Sequence, residues 1–219
     1  MVKIFLSYSN KDKDLAGKIK RFLEGYGLQA FLAHDDIRPT EEWMDRILAE
    51  LEVCHVFIPI LTDDFLESGW TGQETGIAIS RKVKIIPLKV TADPPGFISR
   101  KQALKLHAKY PNITFRDIVK IISADPKLQE LFRDGIIKVF SESYSFDNAG
   151  ENTDLLLSFS GYNLRQIKEI VKTTISNDQI HYCFRGRAKL IGFIENYKSD
   201  LDPKLYKTFN EITQKKPFQ

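Results

Sequence analysis

HVFIPIL, residues 55–61, has almost no polar interruption after its first residue. A strand with one wet face alternates apolar and polar side chains, and this one does not. VKIIPLKV (83–90) is nearly as continuous. Two such strands in one chain imply a sheet covered on both faces.

The segments around them supply the covers. VKIFLSYS (2–9) reads as a first strand, and KDLAGKIKRFLEGYG follows with Leu15, Ile19, Phe22 and Leu23 at helical spacing. Gly25 and Gly27 stand where that helix should stop. LQAFLA (28–33) is a second strand. After the loop HDDIRP comes TEEWMDRILAELEVC, with Ile47, Leu48 and Leu51 on one face and Thr40 placed as its N-cap. SGWTGQETGIAIS separates the two apolar strands, and QALKLHA (102–108) reads as a short last strand. Strand and helix thus alternate, which predicts an α/β fold with a parallel sheet and right-handed crossovers.

Beyond the sheet the chain reads as helical, with a break at Asp125-Pro126. YSFDNAGENT (144–153) is polar and turn-rich and reads as a linker. Leu164, Ile167, Ile170 and Val171 then form one helical stripe. Leu201, Leu205, Phe209 and Ile212 form another, behind Asp202 and Pro203. The expected organisation is a domain over 1–143, a linker over 144–153 and a small all-helical module over 154–219.

Composition narrows the function. The chain has 219 residues, 42% hydrophobic and 28% charged, with a net charge of +3. That balance is ordinary for a soluble globular protein and gives no reason to expect nucleic acid or a membrane surface as partner. No apolar run approaches the roughly 20 residues of a membrane helix, and the start lacks the small-residue cleavage site of a signal peptide. Cys54 and Cys183 share no metal-type spacing, and the four histidines are scattered. The expectation is a cytoplasmic protein with reduced thiols and no metal.

In an open parallel sheet, ligands gather outside the carboxyl ends of the strands. Here those ends carry Ser7, Tyr8 and Ser9, then His34 and Asp35, then Thr62, Asp63 and Asp64. Trp43 lies in the first turn of one helix, and Trp70 and Glu74 lie one turn apart in another. Aromatic rings there can stack a nucleobase or a nicotinamide, and hydroxyls can hold phosphates. GxxxxGK[ST], GxGxxG and GxSxG are all missing from the sequence. A receiver-type phosphoacceptor site needs an acidic pair after the first strand, where this chain has Ser7-Tyr8-Ser9. Taken alone, Trp70 reads as core rather than pocket wall, and Tyr8 is evenly split between packing and stacking.

Three segments in this order, KIFLSYSNKD, FLAHDDIRPTEEW and SGWTGQE, resemble the sequence boxes of the Toll/interleukin-1 receptor (TIR) domain, most closely in its bacterial members. The resemblance covers roughly residues 1–140. It implies a flavodoxin-like TIR domain with about five parallel strands. It implies that the 34–43 loop mediates self-association, although Thr40 follows Pro39 where many relatives have glycine. It also implies that Glu74, in W-x-x-x-E, is the catalytic glutamate of the members that cleave NAD+ at the nicotinamide–ribose bond. Ser7, Tyr8, Ser9, His34, Asp35, Trp43 and Trp70 would line the NAD+ pocket. The products would be nicotinamide with ADP-ribose or a cyclic isomer, in bacterial anti-phage immunity, with no cofactor beyond NAD+ as substrate. A downstream effector that reads a nucleotide messenger is an implied partner. The alternative is a non-catalytic scaffold acting by TIR–TIR assembly. Chemistry favours one glutamate as sufficient: nicotinamide in NAD+ is already a pyridinium and leaves without a proton. Whether Glu74 attacks the ribosyl carbon or stabilises it electrostatically stays open, and a pKa raised by desolvation is expected for it.

Overall fold

The computed structural model describes residues 1–32 and 43–214, with the backbone alone at Trp43. Two compact units divide the chain, Met1–Gln129 and Glu130–Gln219.

In the first unit, β1 (Lys3–Ser7) is followed by α1 (Lys13–Glu24) and β2 (Gln29–Leu32). Then come α2 (Trp43–Val53), β3 (Val56–Leu61), α3 (Asp63–Glu67) and α4 (Gly69–Ser80). β4 (Lys84–Ile85), β5 (Leu88–Lys89), β6 (Leu104–Lys105) and α5 (Pro111–Ser123) complete it. All strands pair in parallel, in the order β2-β1-β3-β5-β6, with β4 also on β3. Every residue of β3 is buried, as its unbroken apolar run predicts.

VKIIPLKV is two short strands rather than one. Val56 pairs with Lys84 below the break, and Ile60 with Leu88 above it. The register is the same on both sides, which places Pro59 opposite Pro87. Neither proline has an N–H to give to the ladder, so it opens there. Gly27 lies at φ 68°, the left-handed conformation that turns the chain from α1 into β2.

α1 and α5 cover one face of the sheet, joined by an edge-on contact of Phe22 and Phe115 at 5.5 Å. α2 and α4 cover the other, over a core of Phe5, Phe31, Ile47, Leu51, Phe57 and Ala78 among others. Leu48, expected beside Ile47 and Leu51, is instead 42% exposed, because it falls on the flank of the buried stripe of α2. The Arg81 guanidinium donates to the Leu51 carbonyl near the end of α2, satisfying an acceptor the helix leaves open.

The described part of the second unit is built of helices: α6 (Gln129–Ser141, opening at the boundary), α7 (Phe146–Leu157), α8 (Leu164–Ser176), α9 (Asp178–His181), α10 (Phe184–Glu195) and α11 (Pro203–Gln214). Residues 144–153, read as a linker, are mostly the first two thirds of α7. Ser145 caps that helix by accepting from Asn148 N–H at 3.2 Å. Its buried stripe is Ala149, Gly150, Thr153 and Leu156. Small residues at helical spacing carry little hydrophobic signal, which is why the segment looks like a connector. They let α7 approach α10 closely. A Cβ placed on Gly186 would meet Thr153 Oγ1 at 2.7 Å. Gly186→Ala should therefore cost the helical unit about 1–3 kcal/mol by overpacking. Gly192→Ala, in the same helix with nothing within 4 Å, should instead add about 0.5–1 kcal/mol. Thermal melts of the two variants check this opposition of sign.

The predicted stripe of α8 is buried at Ile167, Ile170 and Val171, whereas Leu164, its first residue, is 42% exposed. Asn163 and Gln166 form a capping box at its start. In α11 the Asp202 carboxylate accepts from Lys204 and Leu205 N–H, with Pro203 at the first helical position. No described helix is long and apolar enough to cross a membrane.

Candidate functional site

Successive residues of a strand point to opposite faces of the sheet. Phe5 of β1 lies in the core beneath α2 and α4, so Ser7 faces the same way at the strand's carboxyl end. Along α4, Ala78 belongs to that core, and Glu74 is one turn nearer the helix start on the same face. The two alternations meet. Ser7 Oγ donates to Glu74 Oε2 at 2.5 Å, with Ser7 1% and Glu74 6% exposed. Trp70, a further turn toward the helix start, is 43% exposed at the rim.

The location is not accidental. In the order β2-β1-β3, the chain passes from β1 to β2 on one side and on to β3 on the other. The carboxyl ends of β1 and β3 therefore flank a topological switch point, where open α/β sheets form their ligand crevice. The loops on both sides are tied together. Thr62, at the end of β3, accepts from Phe65 N–H as N-cap of α3 and donates to Asp12 Oδ2 at 2.6 Å. Lys11 pairs with Asp64 at 2.6 Å. Thr71 Oγ1 donates to the Phe65 and Ser68 carbonyls, at 2.6 Å and 2.9 Å, and so fixes the joint between α3 and α4. These tethers hold the start of α4, and with it Glu74, against the end of β1.

Burial pushes the Glu74 carboxyl up, the Ser7 hydroxyl pulls it partly back, and the result is about 7 against an ordinary 4.5. A carboxylate poised between its two forms near neutral pH is unusual outside functional sites. It can stabilise or receive a cationic centre when ionised.

The other expected site residues divide. Tyr8 is 4% exposed, so its ring belongs to the packing of the unit. Ser9 is half-buried and begins the short turn Asn10–Asp12, its carbonyl accepting from Asp12 N–H. His34 and Asp35, with the rest of the 34–42 loop, lie outside the described residues, as does the side chain of Trp43. Among the described residues, no group of three histidine, cysteine or acidic side chains is placed to hold a metal. Sequence reading did not single out Asp12, Thr62 and Thr71 as tethers. The run Thr62-Asp63-Asp64-Phe65, an N-cap followed by first-turn acids, was the signal for one of them.

The family model of the TIR domain matches residues 4–119. Among solved structures, the TIR domain of the Toll-related receptor TRR-2 from Hydra magnipapillata is similar at 20% sequence identity and a TM-score of 0.47. The match covers 54% of this chain and 95% of that one. No curated protein matches the chain.

Proposed function

Because the chain belongs to the TIR domain family, we propose that its site at Glu74 cleaves NAD+ at the nicotinamide–ribose bond. The family includes both NAD+-cleaving and non-catalytic members. One observation favours cleavage here: a glutamate buried at the switch point, with a pKa of about 7, and a serine hydroxyl donating to it. A scaffold gains nothing from that arrangement, since burying a carboxylate costs stability.

The chemistry follows from the leaving group. Nicotinamide departs as a neutral amide and takes the electron pair of the C–N bond, so no general acid is required. Positive charge then develops on the ribosyl carbon and ring oxygen. An ionised Glu74 on that face stabilises the charge in a site with little water to compete. Trp70 at the rim offers a ring face to the nicotinamide or the adenine. Ser9 belongs to the same strand end, and His34, Asp35 and Trp43 complete the proposed pocket from the assembly loop. Water reaching the ribosyl carbon gives ADP-ribose, and a nucleophile from the adenine ring gives a cyclic isomer. Self-association through the 34–43 loop and a role in bacterial anti-phage immunity are parts of the same proposal, as is a cytoplasmic setting.

The test is the rate of NAD+ loss against pH, at high protein concentration with a crowding agent so that assembly is not limiting. Only the ionised carboxylate is active, so the rate should rise about tenfold per pH unit below 7 and level off above it. A flat profile, or one that falls through neutral pH, would exclude Glu74 as the group that stabilises the cation. Chromatography of the nucleotide products separates hydrolysis from cyclisation.

A further inference from the structure

Ser7 occupies a position the proposed reaction does not obviously need. It is 1% exposed, too deep to be a pocket wall, and its hydroxyl is directed at Glu74. It ends β1 in register with Pro59 of β3, so the backbone that carries it is held from the centre of the sheet. Among the described residues it is the only hydrogen-bond partner of the Glu74 carboxylate. We propose that Ser7 is a positioning residue, whose hydroxyl holds Oε2 of Glu74 in the ionised, inward-facing form that the reaction uses. This rests on the cleavage reading above.

Among the described residues, no other charge accounts for the state of that carboxylate. Among the described elements, β1, β3, α2 and α3 pack most extensively on α4. β3 has no titratable side chain, and the titratable residue of β1, Lys3, stands at the opposite end of the strand from Ser7. On α2, Arg46 pairs with Glu50 at 2.8 Å, and Asp45 and Glu52 are exposed. On α3, Asp64 pairs with Lys11, and Asp63 and Glu67 are exposed. Arg81, after the end of α4, is engaged at the Leu51 carbonyl. Among the described residues, burial and the Ser7 hydroxyl are the two influences on Glu74. A hydroxyl that donates to a carboxylate favours the ionised form, so it opposes the burial directly.

The test reads Glu74 itself. Glutamate side chains labelled with 13C at Cδ give one resonance for Glu74, assigned by its loss in Glu74→Gln. Its midpoint should lie near 7 in the full-length wild type. In Ser7→Ala it should move up by about one pH unit or more, the worth of one hydrogen bond to a charged group. Ser7→Thr keeps the donor and should restore the wild-type midpoint, which a void left by the smaller side chain would not explain. In NAD+ cleavage, Ser7→Ala should fall about five-fold at pH 7 and recover as the pH is raised to 9. A midpoint that does not move in Ser7→Ala, or a loss of rate in constant ratio at every pH, overturns the assignment. A raised midpoint in a protein that leaves NAD+ intact supports the Ser7–Glu74 contact and removes the cleavage reading instead.

Discussion

At pH 8, Glu74→Gln is expected to unfold on the order of 5 °C above the wild type, and at pH 4.5 the two should melt nearly together. Glu74 is buried, and its pKa is raised from 4.5 to about 7 by folding. A carboxyl whose folded pKa is raised binds its proton more tightly in the folded chain. Its contribution is therefore fully present below 4.5 and is lost as the pH rises through about 7. A displacement of that size corresponds to about 3 kcal/mol at pH 8. Glutamine has nearly the same shape, accepts a hydrogen bond from Ser7 and never ionises, so it escapes the loss. Thermal melts of both proteins across pH 4–9 measure the difference. Parallel curves would mean that Glu74 is not buried as a titrating group.

The same substitution should lower NAD+ cleavage by at least about 100-fold at pH 8, the scale on which removal of one preorganised electrostatic partner acts. Two opposite effects from one side chain, a more stable protein and a slower reaction, are the pattern of a site that stores unfavourable burial for use in catalysis. Trp70→Ala should behave differently. An exposed rim ring contributes binding more than charge stabilisation, so KM should rise more than kcat falls.

Much of this architecture was legible in the sequence for a specific reason. HVFIPIL admits only a strand buried on both faces, and the alternation of strands and helices around it then leaves few topologies open. What the sequence concealed involved partners distant in the chain. VKIIPLKV reads as one strand until Pro87 is seen facing Pro59 across the ladder. The stretch 144–153 reads as a linker because its buried face is made of Ala149, Gly150 and Thr153 rather than large apolar residues. Leu48 and Leu164 show that a residue at the edge of a helical stripe can stay in water. In the candidate site, the carboxyl-end rule placed Ser7 and Glu74 in the same neighbourhood. Their direct contact depends on matching the parity of β1 to the register of α4, across 67 residues of chain. Tyr8, the next residue, has the opposite parity and belongs to the packing.

The central claim, that Glu74 carries the cleavage of NAD+, is tested most directly by following free nicotinamide with 1H NMR. Wild type and Glu74→Gln are compared side by side at pH 8, at high protein concentration and with a crowding agent. The account predicts that nicotinamide accumulates with the wild type and at least about 100-fold more slowly with the variant. Nicotinamide released equally by both proteins, or by neither, would contradict it.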